Sequence, residues 1–133
     1  MMFKSLIPDL LKIQSTPMQT IAFAQKHGFE GVEFRFRHGD LQVTEDTVQQ
    51  IKQAMKDAGV RAGNCSLLTG KSNDSDEDWN ANMQTLDERC AIAAELGFSR
   101  CMWVLMPFHE TLDYQQCWDM HVTRLQQAGD VMS

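Results

Sequence analysis

The feature that most constrains the fold is a threefold repeat in which an amphipathic helix ends at a glycine and a short apolar strand follows. The three copies read TPMQTIAFAQKHG then FEGVEF, TEDTVQQIKQAMKDAG then VRAGNCSLL, and DEDWNANMQTLDERCAIAAELG then FSRCMWVLM. Gly28, Gly59 and Gly97 stand where the residue after a helix takes a positive φ, which glycine adopts without steric cost. Alternating helices and strands of this kind indicate a parallel sheet in an α/β domain.

Residues typical of helix N-caps, and a proline after the first apolar segment, predict where further elements begin and end. The predicted helix starts are Thr16 before Pro17, Thr44, Ser75 or Asp76, and a point near Thr111 with Asp113 in the first turn. A first strand is predicted over 3–7, closed by Pro8. The predicted order is therefore β-α-β-α-β-α-β-α, about four βα units, in a single domain that covers residues 1–133.

Helical periodicity predicts which faces of these helices are buried. The core-facing stripes are predicted to be Val48, Ile51, Met55 and Ala58, then Met83, Leu86, Cys90 and Ala93, and in the last helix Trp118, Val122 and Leu125. His121, in the same last helix, is predicted to lie on its surface.

The second strand distinguishes two α/β architectures. The central strands of a doubly wound sheet are apolar on both faces. In GFEGVEFRF, however, Val32, Phe34 and Phe36 share one face, and Glu33 and Arg35 share the other. A strand of a (β/α) barrel shows one face to the helices and the other to the barrel interior, which becomes polar near the C-terminal mouth. The pattern favours the barrel; an ion pair at a solvated strand end is the alternative.

Composition excludes several classes of function. The net charge is −6, from 18 acidic and 12 basic residues, so the chain lacks the basic character of a nucleic-acid-binding protein. No apolar run is long enough to span a bilayer, and the N-terminal sequence MMFKSLIPDLLKI is a poor signal peptide, which predicts a cytoplasmic protein. The cysteines at 65, 90, 101 and 117 match no zinc-binding pattern. Reduced thiols are expected, with two disulfides in a secreted protein as the alternative.

The stretches HGFEGVEFR, AGV followed by RAGNCSL, and CAIAAELGFSRC resemble the xylose-isomerase-like superfamily, and within it the sugar phosphate isomerases and epimerases. The resemblance implies a TIM barrel that binds a divalent metal (Mn, Mg, Co or Zn) through Glu, Asp and His at its mouth. It also implies proton transfer by two carboxylates between neighbouring carbons of a ketose or aldose. Dehydratases, hydroxypyruvate isomerases and endonuclease-IV-like repair enzymes are alternatives within the superfamily, and the acidic net charge argues against the last.

The chain is short for this family. A (β/α)₈ barrel needs about 250 residues, and the sequence has 133, ending in RLQQAGDVMS, which is predicted to be the close of a fourth helix. The resemblance places the metal ligands on the fifth to eighth strands. The prediction is therefore an N-terminal half barrel that is inactive alone and holds no metal of its own. Its expected partners are a sugar or sugar phosphate, and a second copy or a complementary half-barrel chain. A non-catalytic assembly or binding module is the alternative.

Several residues are candidates for contact with the substrate, although none is assigned a catalytic role. They are Glu33, Arg35, Cys65, Trp103 and His109. Each has a structural alternative: core packing for Trp103 and a solvated loop position for His109. His38, after the second strand, has the same two interpretations as His109, and Lys71 in LLTGKSNDSDED either meets a substrate phosphate or lies in a solvated loop.

Overall fold

The elements observed alternate largely as predicted. The computed structural model describes residues 2–7, 16–36, 45–68 and 70–133. In chain order the elements are β1 (Ser5–Leu6), α1 (Pro17–Lys26), β2 (Gly31–Arg35), α2 (Glu45–Ala58), β3 (Arg61–Ser66), α3 (Asp76–Gln84), α4 (Leu86–Glu95) and α5 (Tyr114–Met132). The described part of the chain thus has one strand fewer and one helix more than the sequence predicted.

A capping box sets the start of α1. The Thr16 hydroxyl accepts the Gln19 N–H at 3.3 Å, and the Gln19 side-chain oxygen accepts the Thr16 N–H at 3.0 Å. Pro17 follows as the first helical residue, where its missing N–H costs nothing. Such a cap contributes about 1 kcal/mol, so the prediction from Thr16 and Pro17 is confirmed.

The other boundaries also follow local signals. Gly28, Gly59 and Gly97 have φ values of 70°, 67° and 86°, which confirms the predicted helix ends. Ser75 caps α3 by accepting the Asp78 N–H at 3.1 Å. Asp113 is the N-cap of α5, one position before the first turn in which it was predicted. The cap predicted at Thr44 lies outside the described residues.

The three strands form one parallel sheet in the order β1-β2-β3. Val32 pairs with Ala62, and Phe34 pairs with Cys65. Between these two pairs β2 advances by two residues and β3 by three, so β3 contains a bulge opposite Glu33.

The predicted fourth strand, 98–106, is reduced to an isolated bridge between Cys101 and Cys65. The Cys65 N–H donates to the Arg100 carbonyl at 2.9 Å, and the Met102 N–H donates to the Cys65 carbonyl at 2.8 Å. Because β3 ends at Ser66, the residues after Met102 have no strand backbone beside them to extend the ladder. Within the described residues, three of the predicted βα units have a strand, and the fourth consists of this bridged segment followed by α5.

The third predicted helix is divided at Thr85, whose φ and ψ are −112° and 8°. The buried guanidinium of Arg89 donates to the Thr85 carbonyl, to the carbonyl and side-chain oxygen of Asn82, and to the Leu67 carbonyl. Arg89 thereby provides partners for carbonyls at the break and links it to the end of β3.

The hydrophobic core lies against one face of the described sheet. Val32, Phe34 and Phe36 are buried in a single core together with residues of α1, α2 and α4. The rings of Phe34 and Phe36 also contact Phe98, with centroid distances of 5.3 and 5.7 Å. Each buried phenylalanine contributes about 1.5–3 kcal/mol. Coverage of one face is the arrangement of a barrel strand and not of a doubly wound sheet.

The stripes predicted for α2, α3 and α4 are confirmed, and the stripe predicted for α5 is wrong. Val48, Ile51, Met55, Leu86 and Ala93 are buried, and Ala58, Met83 and Cys90 are partly buried against the core. Trp118, Val122 and Leu125 are instead 51%, 37% and 41% exposed. The buried face of α5 consists of Cys117, His121, Arg124 and Ala128.

The buried face of α5 is polar because its side chains find partners on other segments. The Arg124 guanidinium donates to the Ser72 carbonyl and to the Asp76 carboxylate, both at 2.8 Å. The His121 Nε2–H donates to the Met106 carbonyl at 2.8 Å. His121 is therefore buried, which corrects the prediction of a surface position. Among the described residues, no helix combines the length and apolar character needed to cross a membrane.

Candidate functional site

A polar surface lies on the side of the sheet that faces away from the helices. We call it the polar sheet face; it comprises Ser5, Glu33, Arg35, Gly63 and Ser66. Successive side chains of a strand point to opposite faces, so the burial of Val32 and Phe34 in the core directs Glu33 and Arg35 to this one. Glu33 is half-buried and Arg35 is exposed. Arg35 pairs in register with Ser66, so both stand at the carboxyl end of their strands.

Gly63 allows the centre of this face to pack closely. A Cβ at Gly63 would lie 2.5 Å from the Ser5 hydroxyl oxygen and 3.1 Å from the Glu33 Cγ, so both side chains occupy the space that a larger residue would fill. The Ser5 hydroxyl is buried and has no hydrogen-bond partner within the described ranges. A buried unpaired hydroxyl costs about 1–3 kcal/mol, and here it leaves a donor beside the Glu33 carboxylate.

The amino end of the polar sheet face is closed by an aromatic ring. A Cβ at Gly31 would collide with the Phe3 ring, and the Arg61 guanidinium lies over the same ring at 4.6 Å from its centroid. Arg61 also pairs with Glu30 at 3.1 Å. The polar groups therefore open toward the carboxyl ends of the strands, which is where α/β barrels bind their ligands.

Cys65 and Trp103 are placed away from this face. Cys65 is buried in the core, with 3% of its surface exposed. Trp103 is partly buried against the same core and stacks on Trp79, with centroids 5.4 Å apart and an interplanar angle of 28°. The structure therefore does not bring these two candidates together with Glu33 and Arg35.

His109 takes part in the turn that precedes α5. Its Nδ1 accepts the N–H of Thr111 at 3.2 Å and of Leu112 at 3.3 Å, so the ring proton resides on Nε2. These contacts fix the orientation of the imidazole through neighbours in the chain. His38 lies outside the described residues.

The segment around Lys71 is held in place by hydrogen bonds. The Lys71 N–H donates to the Asp74 carboxylate at 2.7 Å, and the lysine side chain is exposed. Ser72 is fully buried, and its hydroxyl accepts the Met106 N–H at 2.5 Å. Lys71 is thus exposed to solvent, whereas Ser72 beside it is buried.

The sequence singled out Glu33 and Arg35 but missed Ser5 and Gly63. Alternation of polar and apolar residues within one strand was the signal for the first pair. Ser5 lies in a two-residue strand, and Gly63 lies at a bulge. Their place beside Glu33 depends on strand register, which the sequence of either strand does not encode alone.

The described residues do not fit the divalent metal that the family resemblance implies. They contain no group of three or more His, Cys, Asp or Glu side chains placed to hold a metal ion. On the polar sheet face the single carboxylate, Glu33, stands on the same strand face as the Arg35 guanidinium, which disfavours a second cation. Divalent ions in proteins are held by several oxygen or nitrogen ligands.

Comparison with solved structures establishes the fold. A xylose isomerase domain protein from Alicyclobacillus acidocaldarius subsp. acidocaldarius superposes with a TM-score of 0.70 at 16% identity, over 98% of this chain and 46% of that one. D-psicose 3-epimerase from Clostridium cellulolyticum H10 gives 0.67 at 12% identity, over 90% and 44%. D-allulose 3-epimerase from Methylomonas sp. gives 0.60 at 17% identity, over 87% and 41%. The chain thus spans less than half the length of these proteins and corresponds to a partial TIM barrel.

Sequence comparison supplies the family. Among curated proteins, no match to the chain was found. A model of one protein family does match, over residues 21–133, a range that contains β2, β3 and all or part of each of the five helices. The chain therefore belongs to the xylose isomerase-like TIM barrel family.

Proposed function

We propose that this chain supplies the substrate-binding side of a sugar isomerase or epimerase barrel, and that the polar sheet face contacts the sugar. The observation that carries the proposal is the position of Glu33 and Arg35 on the face of β2 opposite the core, with Glu33 at its centre and Arg35 at the carboxyl end of the strand. Two of the structurally similar proteins are epimerases, one with D-tagatose and one with D-allulose in the solved structure.

The side chains on this face suit a polyhydroxylated ligand. The Glu33 carboxylate accepts hydrogen bonds from sugar hydroxyls, and the Ser5 hydroxyl next to it has an unused hydrogen-bonding capacity. Arg35 presents donors in a planar fork that fits vicinal hydroxyls or a phosphate. A half-buried carboxylate beside a substrate carbon also has the chemistry of a general base, which we assign to Glu33 as a proposed role in the complete barrel.

We propose that the metal ligands and the rest of the active site belong to the part of the barrel that these residues do not span, so that residues 1–133 alone are inactive. The described residues lack a metal-binding cluster. Calorimetric titration of the chain with Mn²⁺ or Mg²⁺ is therefore expected to show no tight binding. Tight binding would contradict this division of the site.

Sugar binding by the polar sheet face can be tested without the other half. Ligand-observed NMR with D-allulose and D-tagatose is expected to detect weak binding by the wild-type chain. Glu33→Gln should reduce the signal several-fold because the amide replaces a charged acceptor. Glu30→Gln is the matched control: it also removes a carboxylate from the same segment, but that carboxylate is paired with Arg61.

The outcomes separate the proposed contact from general surface effects. Loss of the signal in Glu33→Gln with retention in Glu30→Gln supports the proposal. Equal signals in both variants, or no binding by the wild type, would overturn it. A parallel titration with a ketose phosphate, with Arg35→Met as the variant, decides whether a phosphate is part of the ligand.

A second function, as a non-catalytic assembly or binding module, is favoured by a different surface. Large apolar side chains are exposed on the bridged segment and on α5: Met102, Val104, Leu105, Met106, Phe108, Tyr114, Trp118, Val122 and Leu125. We call this set the open edge. Large exposed apolar side chains are typical of protein interfaces where they form one patch. An assembly module would keep the association that the open edge provides and would not respond to Glu33→Gln in any assay.

A further inference from the structure

Two cysteines lie side by side at the end of the sheet. Cys65 of β3 and Cys101 of the bridged segment are direct partners in a parallel bridge. Neighbouring strands are about 4.8 Å apart, and this separation falls within the Cα–Cα range of a disulfide, about 4.4–6.8 Å. Residues paired in register direct their side chains to the same face, so the two sulfurs can meet without movement of the backbone.

The surroundings of the two thiols differ. Cys101 is exposed, whereas Cys65 is buried. The Cys65 thiol donates to the Arg100 carbonyl at 3.3 Å. Redirected to Cys101, the same thiol favours the Cys101 thiolate, as do the N–H groups of Leu67 and Leu68 and the positive charge of the Arg89 guanidinium. Together they lower the pKa of the Cys101 thiol to about 6. The hydrogen bond to Cys101, followed by burial, raises the pKa of the Cys65 thiol.

The remaining thiols do not share this environment. Burial raises the pKa of the half-buried Cys90 on α4, and the neighbouring Cys101 raises it further. Cys117 is buried on α5, with its sulfur 3.8 Å from the Met106 carbonyl oxygen and 3.7 Å from the His121 Nε2. An exposed thiol of lowered pKa with a second thiol on the neighbouring paired residue is the arrangement found in cysteines that respond to oxidants.

We propose that Cys101 and Cys65 form a peroxide-sensitive pair in which Cys101 is oxidised first and Cys65 then closes an intramolecular disulfide. The Cys101 thiolate attacks one oxygen of hydrogen peroxide, the O–O bond breaks, and hydroxide leaves and takes up a proton to become water. The product is a sulfenic acid on Cys101. The Cys65 sulfur then attacks the sulfenic sulfur, its proton goes to the departing hydroxide, and a second water is released. Two thiols and one peroxide give one disulfide and two waters.

The disulfide would change the end of the sheet where the polar sheet face opens. Cys65 precedes Ser66 on β3, and Cys101 belongs to the segment that continues into the open edge. A covalent link between them fixes the bridged segment to β3 through a second connection. Oxidation is therefore expected to reduce local opening of residues 98–106, measurable as slower amide hydrogen exchange in that segment.

The first test follows the products. The wild-type chain, treated with limiting hydrogen peroxide, is expected to lose two thiols and to yield a Cys65–Cys101 disulfide on peptide mapping. Cys65→Ser should stop at the sulfenic acid, which dimedone traps on Cys101, and Cys101→Ser should lose no thiols at the same dose. Cys117→Ser is the matched control and should behave as the wild type. A disulfide through Cys90, or equal oxidation of Cys101→Ser, would overturn the proposal.

The second test needs no variant and so does not depend on how a variant folds. Alkylation of each cysteine by iodoacetamide is followed by mass spectrometry from pH 5 to pH 9. At pH 6 the Cys101 thiol should be about half ionised, against about 0.3% for a thiol with the ordinary pKa of about 8.5. The lower nucleophilicity of the more acidic thiolate leaves an advantage of about tenfold in rate. A Cys101 rate profile with its midpoint near pH 8.5 would contradict the proposal.

Discussion

At the scale of single residues, the polar sheet face depends on the absence of a side chain at Gly63. An alanine there would place its Cβ 2.5 Å from the Ser5 hydroxyl oxygen and 3.1 Å from the Val32 carbonyl oxygen. The serine would have to change rotamer and the strands would have to separate slightly. Gly63→Ala is therefore expected to lower the free energy of unfolding by about 1–3 kcal/mol, measured by urea denaturation.

Gly129→Ala serves as the control for this substitution. Gly129 lies in α5 and is exposed, and a Cβ added there would meet no atom within 4 Å beyond its own helix. Alanine is expected there to raise the free energy of unfolding by about 0.5–1 kcal/mol, because glycine loses more conformational freedom in a helix. If Gly63→Ala were also stabilising, the close packing of Ser5 and Glu33 would be refuted.

Single residues also show how far the sequence alone could predict the site. The alternation of Glu33 and Arg35 with Val32 and Phe34 predicted their common face, because that pattern is local to one strand. Cys65 was predicted at the mouth because it ends a strand, but the bulge in β3 pairs it with Phe34 on the core side. A bulge moves every following residue to the other face, and its sequence signal is Gly63, because a glycine inside a strand often marks a bulge.

At the scale of elements, α5 shows why apolar periodicity selected the wrong face. The stripe of Trp118, Val122 and Leu125 has the correct spacing for a core helix, yet it is exposed. The buried face carries Arg124 and His121, whose partners come from the segment after β3 and from Met106. Those partners are remote in sequence, whereas the helix caps and the terminal glycines, which depend on neighbours in the chain, were predicted correctly.

The contribution of Arg124 can be measured directly. Arg124→Met keeps most of the buried volume but removes the hydrogen bonds to the Ser72 carbonyl and the Asp76 carboxylate. It also removes the guanidinium from above the Trp79 ring. Since hydrogen bonds to charged groups contribute about 1.5–3 kcal/mol, a loss of about 2 kcal/mol is expected in the free energy of unfolding.

Arg61→Met is the matched control for Arg124→Met. Arg61 pairs with Glu30, and both side chains are about half exposed, so solvent weakens their interaction. The expected loss is below about 1 kcal/mol. Equal losses for the two variants would show that burial of Arg124 does not strengthen its contacts.

At the scale of the whole molecule, the open edge leaves large apolar side chains uncovered. The bridged segment makes its backbone contacts with β3 only around Cys101, and its apolar side chains extend outward, with Phe108 82% and Val104 67% exposed. The solved barrels that superpose on the chain are more than twice as long as the matched region. We propose that the isolated chain covers the open edge by self-association.

Substitutions on the open edge test this proposal. The wild-type chain, with a mass of 15.2 kDa, is expected to show a concentration-dependent increase in mass by size-exclusion chromatography with light scattering. The double variant Val104→Asp and Phe108→Asp should remain near 15.2 kDa over the same range, because charges on an apolar contact surface oppose its burial.

Met18→Asp is the control, since Met18 is 48% exposed on α1 and outside the open edge. Both substituted positions of the double variant are exposed, so its circular dichroism should match that of the wild type. A wild-type chain that stays at 15.2 kDa at every concentration would contradict self-association, and equal effects of the two sets of substitutions would show that association uses another surface.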